Sequence, residues 1–394
     1  MAIRVHVKRG QQAIVPIRFV RAVTGNPPVR TAPDVDDRGF DMSGRGGDWG
    51  KTKAKGAMVG VTVGDTVRVK VLREDLENSA DLYVSSTNKS VVRVISPASG
   101  TKLPANGEFS IRGIADKKSS PVAVQIHFGK QDGPVIGELE PHIFLLIRIR
   151  VAIHLVSIYG GDTNRWAGTV AATTPNMVAL VTQANDIWRP AGIEFRTDNM
   201  LVIRDQVRPN PTNAARSQYL HRGSGSWRSL PAPLGAAGNF TTAGTITDNA
   251  AWANQYREFL TLGRLNFVNN RANIYCVQNG TGWNGLSYVG MNRGLAIGDA
   301  ASAYDLAHEL GHYLNNDHAD EDNTSTDTDN KDIWLVRRLM YSDWPAAAPP
   351  HRNNVGYGAN QYGALLSVKK LGGDYSTSDG ELRRSRRRAR RPFS

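Results

Sequence analysis

The chain has 394 residues, which is long enough for two or three domains with their own hydrophobic cores. Its content of 40% hydrophobic and 21% charged residues is ordinary for a globular protein. The net charge is +12, but seven of these charges are arginines within residues 383–391, so the rest of the chain is only mildly basic.

The single cysteine, Cys276, excludes an internal disulfide framework and is predicted to be a small buried residue on a strand. The apolar run 143–158 is interrupted by Arg148 and Arg150, so no transmembrane segment is predicted. Residues 1–9 alternate like a strand and lack the apolar core of a secretory signal. We therefore expect a cytoplasmic protein or an effector exported by a signal-independent route.

Residues 1–145 are predicted to form a β-rich domain. Short runs of β-branched and aromatic residues are separated by turn signals such as Asn106-Gly107 and Asp132-Gly133. This pattern indicates an immunoglobulin-like sandwich and leaves its strand order open. A Gly- and Asp-rich loop is predicted over 31–56. The predicted strands are 61–63, 66–71, 91–95, 109–114 and 122–128.

Residues 146–372 are predicted to form a second domain that combines helices and strands. A helix is expected over 175–188, followed by a strand that begins at Ile193. Residues 209–248 are rich in Gly, Ser, Thr and Pro and are predicted to be surface loops.

A second helix is expected over 250–267, and the segment 272–278 is predicted to be a strand.

The most informative segment begins at His308 and reads His-Glu-Leu-Gly-His-Tyr-Leu-Asn-Asn-Asp-His. On a helix, His308 and His312 project from one face with Cβ atoms about 5–6 Å apart, which suits two zinc ligands. Glu309 lies beside the first ligand, where it can accept a proton from a zinc-activated water molecule. His318 can join them only if the chain turns sharply after Leu314. The segment predicts one catalytic Zn2+ ion with three histidine ligands and Glu309 as the general base.

Chance is the alternative explanation for this motif. A shuffled chain of this composition contains His-Glu-x-x-His in roughly one case in two hundred, and the third histidine lowers that roughly another forty-fold. The context also predicts a helix, because Ser302-Ala303-Tyr304-Asp305 reads as a capping box and no proline follows before Leu314.

With these residues, the chain resembles the metzincin clan of zinc endopeptidases, and within it the matrixin-like and reprolysin-like types. The clan signature is His-Glu-x-x-His-x-x-Gly-x-x-His followed by a tight turn that carries a methionine, for which Arg338-Leu339-Met340-Tyr341-Ser342 is the candidate Met-turn. Asn315 stands in place of the usual glycine, and asparagine also tolerates the positive φ of such a turn. The resemblance covers roughly residues 150–370 and is strongest over 272–342.

The resemblance implies an α+β fold, with a metzincin-like zinc peptidase domain preceded by the all-β domain. It implies a metalloendopeptidase that hydrolyses peptide bonds in protein substrates. Met340 would form a hydrophobic floor under the metal, and a contact of Tyr341 with substrate or transition state is left open.

The clan also implies that substrate lies extended along an edge strand of the sheet. The candidate edge strand is 272–278, with Ile274, Tyr275 and Cys276 at its centre.

Three further features leave alternatives open. The acidic segment 320–332 is predicted to be a solvated loop, with a Ca2+ site as the alternative. Asp34-Val35-Asp36-Asp37 is predicted to be structural, with a zinc-capping carboxylate as the alternative. The remaining histidines are predicted to be structural or exposed: His6, His127, His142, His154, His221 and His351.

The Arg-rich segment 373–394 is predicted to be a disordered tail, which could also bind nucleic acid or an anionic surface. The alternative to the peptidase hypothesis assigns the binding function to this tail. In that hypothesis the chain is a non-catalytic binding or delivery protein with a relic zinc site and an anion-binding tail.

Overall fold

The computed structural model describes residues 18–21, 57–72, 81–116, 122–158, 170–189, 192–230, 263–277, 285–287, 294–298 and 301–314. Over these residues the protein is mostly β-sheet with few helices, which confirms the α+β class. The described residues fall into two compact units. One unit contains residues 18–147 and Asp186–Ile193, and the other contains residues 148–185 and 194–314.

The first unit contains eight strands among its described residues. These strands are β1 (Arg18–Arg21), β2 (Ala57–Thr62), β3 (Thr66–Leu72), β4 (Leu82–Ser86), β5 (Val92–Ser96), β6 (Glu108–Gly113), β7 (Val124–Phe128) and β8 (Val135–Phe144). They form two four-stranded sheets, in the orders β1-β3-β6-β5 and β2-β8-β7-β4. Neighbouring strands are antiparallel except β2 and β8, which are parallel.

Both sheets contribute to one hydrophobic core. On β3, Val67, Val69 and Val71 are buried while Arg68 between them is exposed, which is the period of two expected for a strand with one face inward. Leu82 of β4 and the aromatic and aliphatic residues of β6 and β7 complete the core: Phe109, Ile111, Val124 and Ile126.

The strand predictions in this unit are confirmed where local patterns were strong. The predicted strands 66–71, 91–95, 109–114 and 122–128 correspond to β3, β5, β6 and β7, and 61–63 overlaps the end of β2. Strands β1, β4 and β8 were not predicted. The predicted loop 31–56 lies outside the described residues.

The second unit is built on a seven-stranded sheet in the order β12-β11-β10-β9-β13-β15-β14. Its elements are β9 (Ile147–Ile158), α1 (Val170–Trp188), β10 (Ile193–Pro209), β11 (Ser217–Leu220), β12 (Trp227–Leu230), β13 (Ala272–Cys276), β14 (Gly285–Leu286), β15 (Leu295–Ile297) and α2 (Ala303–Tyr313). Strand β13 is parallel to both β9 and β15, whereas β14 is antiparallel to β15.

Two predictions for this unit differ from the structure where their residues are described. Residues 209–248 were expected to be loops, yet β10 ends at Pro209 and β11 and β12 follow as antiparallel strands, while 231–248 lie outside the described residues. The Gly- and Ser-rich residues form the turns between these strands, where Gly225 has a φ of +64°. The predicted helix 250–267 does not extend over 263–267, which form turns and bends, and its other residues lie outside the described part.

The helix predicted over 175–188 is confirmed and begins five residues earlier, at Val170. No helix among the described residues combines the length and the apolar character needed to cross a membrane.

Candidate metal centre

The start of helix α2 is held by a reciprocal capping box. The N–H of Asp305 donates to the Ser302 hydroxyl, and the N–H of Ser302 donates to the Asp305 carboxylate at 2.7 Å. The box satisfies two backbone N–H groups that a helix start leaves unpaired. The predicted cap is therefore confirmed, and it determines where the following residues face around the helix axis.

The end of α2 is equally well defined. The helix ends at Tyr313, and the N–H of Leu314 donates to the carbonyl oxygens of Leu310 and Gly311, both at 3.0 Å. The Tyr313 hydroxyl donates to the carbonyl of Arg271 at 3.3 Å, which connects the last turn to the segment before β13. The helix therefore stops where the motif requires the chain to turn.

The first two predicted ligands come together on one face of α2. Nε2 of His308 lies 3.1 Å from Nε2 of His312, and the two rings are nearly perpendicular, at 86°. Both side chains are buried, at 7% and 5% exposure. Two nitrogens that bind one tetrahedral zinc ion at 2.0–2.1 Å lie about 3.3–3.4 Å apart. The observed pair is within a few tenths of an ångström of that separation, so these donors fit zinc.

Glu309 is buried next to this pair. Its Oε2 is one of two buried side-chain polar atoms without a hydrogen-bond partner among the described residues, and Ser287 Oγ is the other. Burial, and to a smaller extent the negative charge of Asp305, raises the pKa of the Glu309 carboxyl well above its usual range. Glu309 directly follows His308, and a cation bound near its buried, unpaired Oε2 would stabilise the carboxylate form.

Strands β14 and β15 pack against α2 and form the other wall of this region. Gly285 of β14 lies directly against the Glu309 side chain, because a Cβ atom at position 285 would come within 2.7 Å of Oε1 and 2.9 Å of Cδ. The candidate site therefore lies between helix α2 and β14, the last described strand of the seven-stranded sheet.

The predicted edge strand is wrong. Ile274, Tyr275 and Cys276 belong to β13, which lies between β9 and β15, and all three side chains are buried. Among the described strands, the edge of the sheet on this side is β14. The apolar run 274–277 is typical of a strand covered on both faces, so the sequence indicated burial of this strand but not its place in the sheet.

Other predicted site residues lie outside the described part of the chain: His318, Met340 and Tyr341, together with the alternative zinc and calcium segments. Within the described part, no group of three or more His, Cys, Asp or Glu side chains could hold a metal ion. The third predicted ligand is thus not among the residues searched.

The three other histidines whose side chains are described all bond to protein groups. His127 lies between the Ser85 hydroxyl and the Gly133 carbonyl, at 2.8 and 3.0 Å, and His221 contacts Ser224 at 3.0 Å. His154 is fully buried in a polar network under the sheet. Their predicted structural roles are confirmed.

Sequence reasoning missed Gly285 and Ser287. A strand of two residues has no hydrophobic periodicity, and only its position beside the motif helix distinguishes it. No protein-family model matches the chain, and no curated protein matches it.

Proposed function

We propose that this chain is a zinc-dependent metalloendopeptidase that hydrolyses peptide bonds in protein substrates. The observation that carries the proposal is the convergence of the His308 and His312 Nε2 atoms at 3.1 Å on the helix that also holds the buried Glu309, whose Oε2 has no hydrogen-bond partner among the described residues. His318 would complete the ligand set. Zinc bound by three neutral imidazoles would act as a Lewis acid toward a peptide carbonyl and activate a water molecule.

Glu309 is the proton carrier in this proposal. Its carboxylate accepts a proton from the attacking water and passes it to the leaving amine. The role requires a carboxylate, and a cation bound nearby would stabilise that form against the rise in the Glu309 pKa that burial causes. The capping box and the contact with Gly285 hold the group in one orientation.

Strand β14 is the proposed binding edge for an extended substrate. Among the described strands it pairs only with β15, so its other side leaves backbone groups for an added strand. This proposal moves the substrate contact from β13 to the strand that adjoins Glu309.

At the level of the fold, we infer a metzincin-like catalytic domain that follows an immunoglobulin-like sandwich. The capped motif helix, the sheet beside it and helix α1 before Ile193 support the first inference. Two four-stranded sheets with a common core support the second. Met340 would form the floor under the metal, as the resemblance implies.

The test is cleavage of an unstructured protein by wild type and Glu309→Gln, both loaded with zinc and with the bound metal quantified. Glu108→Gln, on β6, is the matched control. We expect cleavage by the wild type and the control and its loss in Glu309→Gln, with zinc content unchanged. Equal cleavage by all three proteins would refute the role of Glu309. No cleavage by any of them would favour the rival reading of a non-catalytic binding protein.

A further inference from the structure

The backbone of β14 leaves no room for a side chain where it passes Glu309. A Cβ atom at position 285 would lie 2.7 Å from Glu309 Oε1 and 2.9 Å from Cδ, and closer still to Cγ. Real Cβ atoms essentially never come within 3.0 Å of another heavy atom in this way. All three nearest atoms belong to Glu309, so the obstruction at this position is the side chain of one residue.

Backbone conformation does not explain the glycine. Gly285 is not among the glycines with positive φ, so its backbone is open to other residues. It also lies in a strand, where glycine is less stable than residues with side chains. The remaining physical reason for glycine here is the close approach to Glu309.

We propose that Gly285 is a positioning residue: its missing side chain allows the β14 backbone to pack against Glu309 and hold the Glu309 carboxyl in one buried position. The catalytic part of this inference rests on the proposed function, and the steric part does not. Glu309 is only 7% exposed, so a Cβ atom at position 285 would force the Glu309 side chain to rotate within a packed environment. That rotation moves the carboxyl group away from its observed position.

Displacement of this group has a chemical consequence. A general base must lie within about 2.6–3.2 Å of the heavy atom whose proton it accepts. A misplacement of about 1 Å can cost about a hundred-fold in rate. A single methyl group outside the ligand set should therefore lower turnover while the imidazoles and their metal remain in place.

The first test is a double-mutant cycle on the stability of the metal-free full chain. Urea midpoints are measured for wild type, Gly285→Ala, Glu309→Ala and the double variant. Glu309→Ala removes Cγ, Cδ and Oε1, so Gly285→Ala should lower the midpoint in the wild-type background and not in the Glu309→Ala background. Equal losses in both backgrounds, or failure of the double variant to fold, would overturn the inference because the obstruction would then lie elsewhere.

The second test is kinetic. Gly285→Ala should lower kcat at least ten-fold, with KM and zinc content within two-fold of wild type. Gly223→Ala is the matched control, since Gly223 also lacks a positive φ and a Cβ there would meet only the His221 ring, at 3.1 Å. An unchanged kcat in Gly285→Ala would overturn the inference. If the wild type cleaves nothing but the cycle shows the coupling, the steric role of Gly285 stands and the peptidase proposal fails.

Discussion

Glu309 is in an environment that suits its carboxylate only when a cation is near. The side chain is buried, Oε2 has no partner, and Asp305 adds a second negative charge one turn earlier. Without metal, these conditions favour the protonated acid, which raises its pKa. Beside a divalent cation the same position favours the carboxylate. Glu309 therefore lowers the stability of the metal-free protein. When a metal ion is bound, the same residue is available as a carboxylate.

This cost predicts a pH-dependent effect of Glu309→Gln on the metal-free protein. Below the unfolded-state pKa of about 4.3, Glu309 is protonated in both the folded and the unfolded state, so its ionisation does not change the free energy of unfolding. Above that pKa the unfolded chain loses the proton while the folded chain retains it, so wild-type stability falls as pH rises. The advantage of Glu309→Gln should grow by up to about 1.4 kcal/mol per pH unit until the raised folded pKa is reached.

Urea unfolding at pH 5 and pH 8 with a chelator present measures this difference. Glu108→Gln, at a half-buried position on β6, should not show it. Parallel pH profiles for wild type and Glu309→Gln would mean that the Glu309 carboxyl is not destabilised by burial.

Three strands of the second unit are joined by a polar network that involves no ligand of the candidate site. His154 of β9 contacts the Asp205 carboxylate of β10 through Nδ1 at 2.6 Å, and Asn273 Oδ1 of β13 through Nε2 at 2.9 Å. The Asn273 amide donates to the carbonyls of Val268 and Arg271, at 3.0 and 2.9 Å. The Asn273 side-chain oxygen is therefore the atom that faces the His154 ring.

Asp205→Ala is expected to destabilise the protein by roughly 1–3 kcal/mol, because it leaves the buried Nδ1 of His154 without its hydrogen-bond partner. Asp198→Ala, which removes an exposed partner of Arg196, should have little effect. Urea unfolding of both variants and of His154→Ala measures the difference. The double variant His154→Ala/Asp205→Ala should lose less than the two single losses combined. A loss for Asp205→Ala no larger than that for Asp198→Ala would contradict the role of the network.

Local signals predicted the elements that depend on neighbouring residues in sequence. Helix α2 was recognised because Ser302 and Asp305 form a cap and the two histidines are one turn apart. The position of β13 was missed because strand order depends on pairing between distant residues, and sequence periodicity contains no information on which strand is last. Strands β11 and β12 were predicted to be loops, because each has only four residues and is shorter than the turns around it.

The complete chain provides a test of metal binding that does not require activity. A ligand that binds only the folded state stabilises it by about 2.7 kcal/mol at a hundred-fold excess over Kd. Zinc should therefore raise the Tm of the wild type, and a chelator should reverse the increase. His312→Ala should abolish this response, while His221→Ala, on a surface turn, should retain it. An equal zinc response in the two variants would exclude the motif helix as the metal site.

Cys276 is the only cysteine in the sequence, and it lies at 0% exposure on an interior strand. A thiol reagent can reach it only when β13 separates from a neighbouring strand, so the rate of its modification reports how often the sheet opens. The modification rate of Cys276 therefore measures how often the interior strand β13, which pairs with β15, becomes accessible to solvent. A thiol reagent would modify a cysteine introduced at the surface far faster than Cys276. The native and the introduced thiol could therefore be distinguished by their modification rates alone.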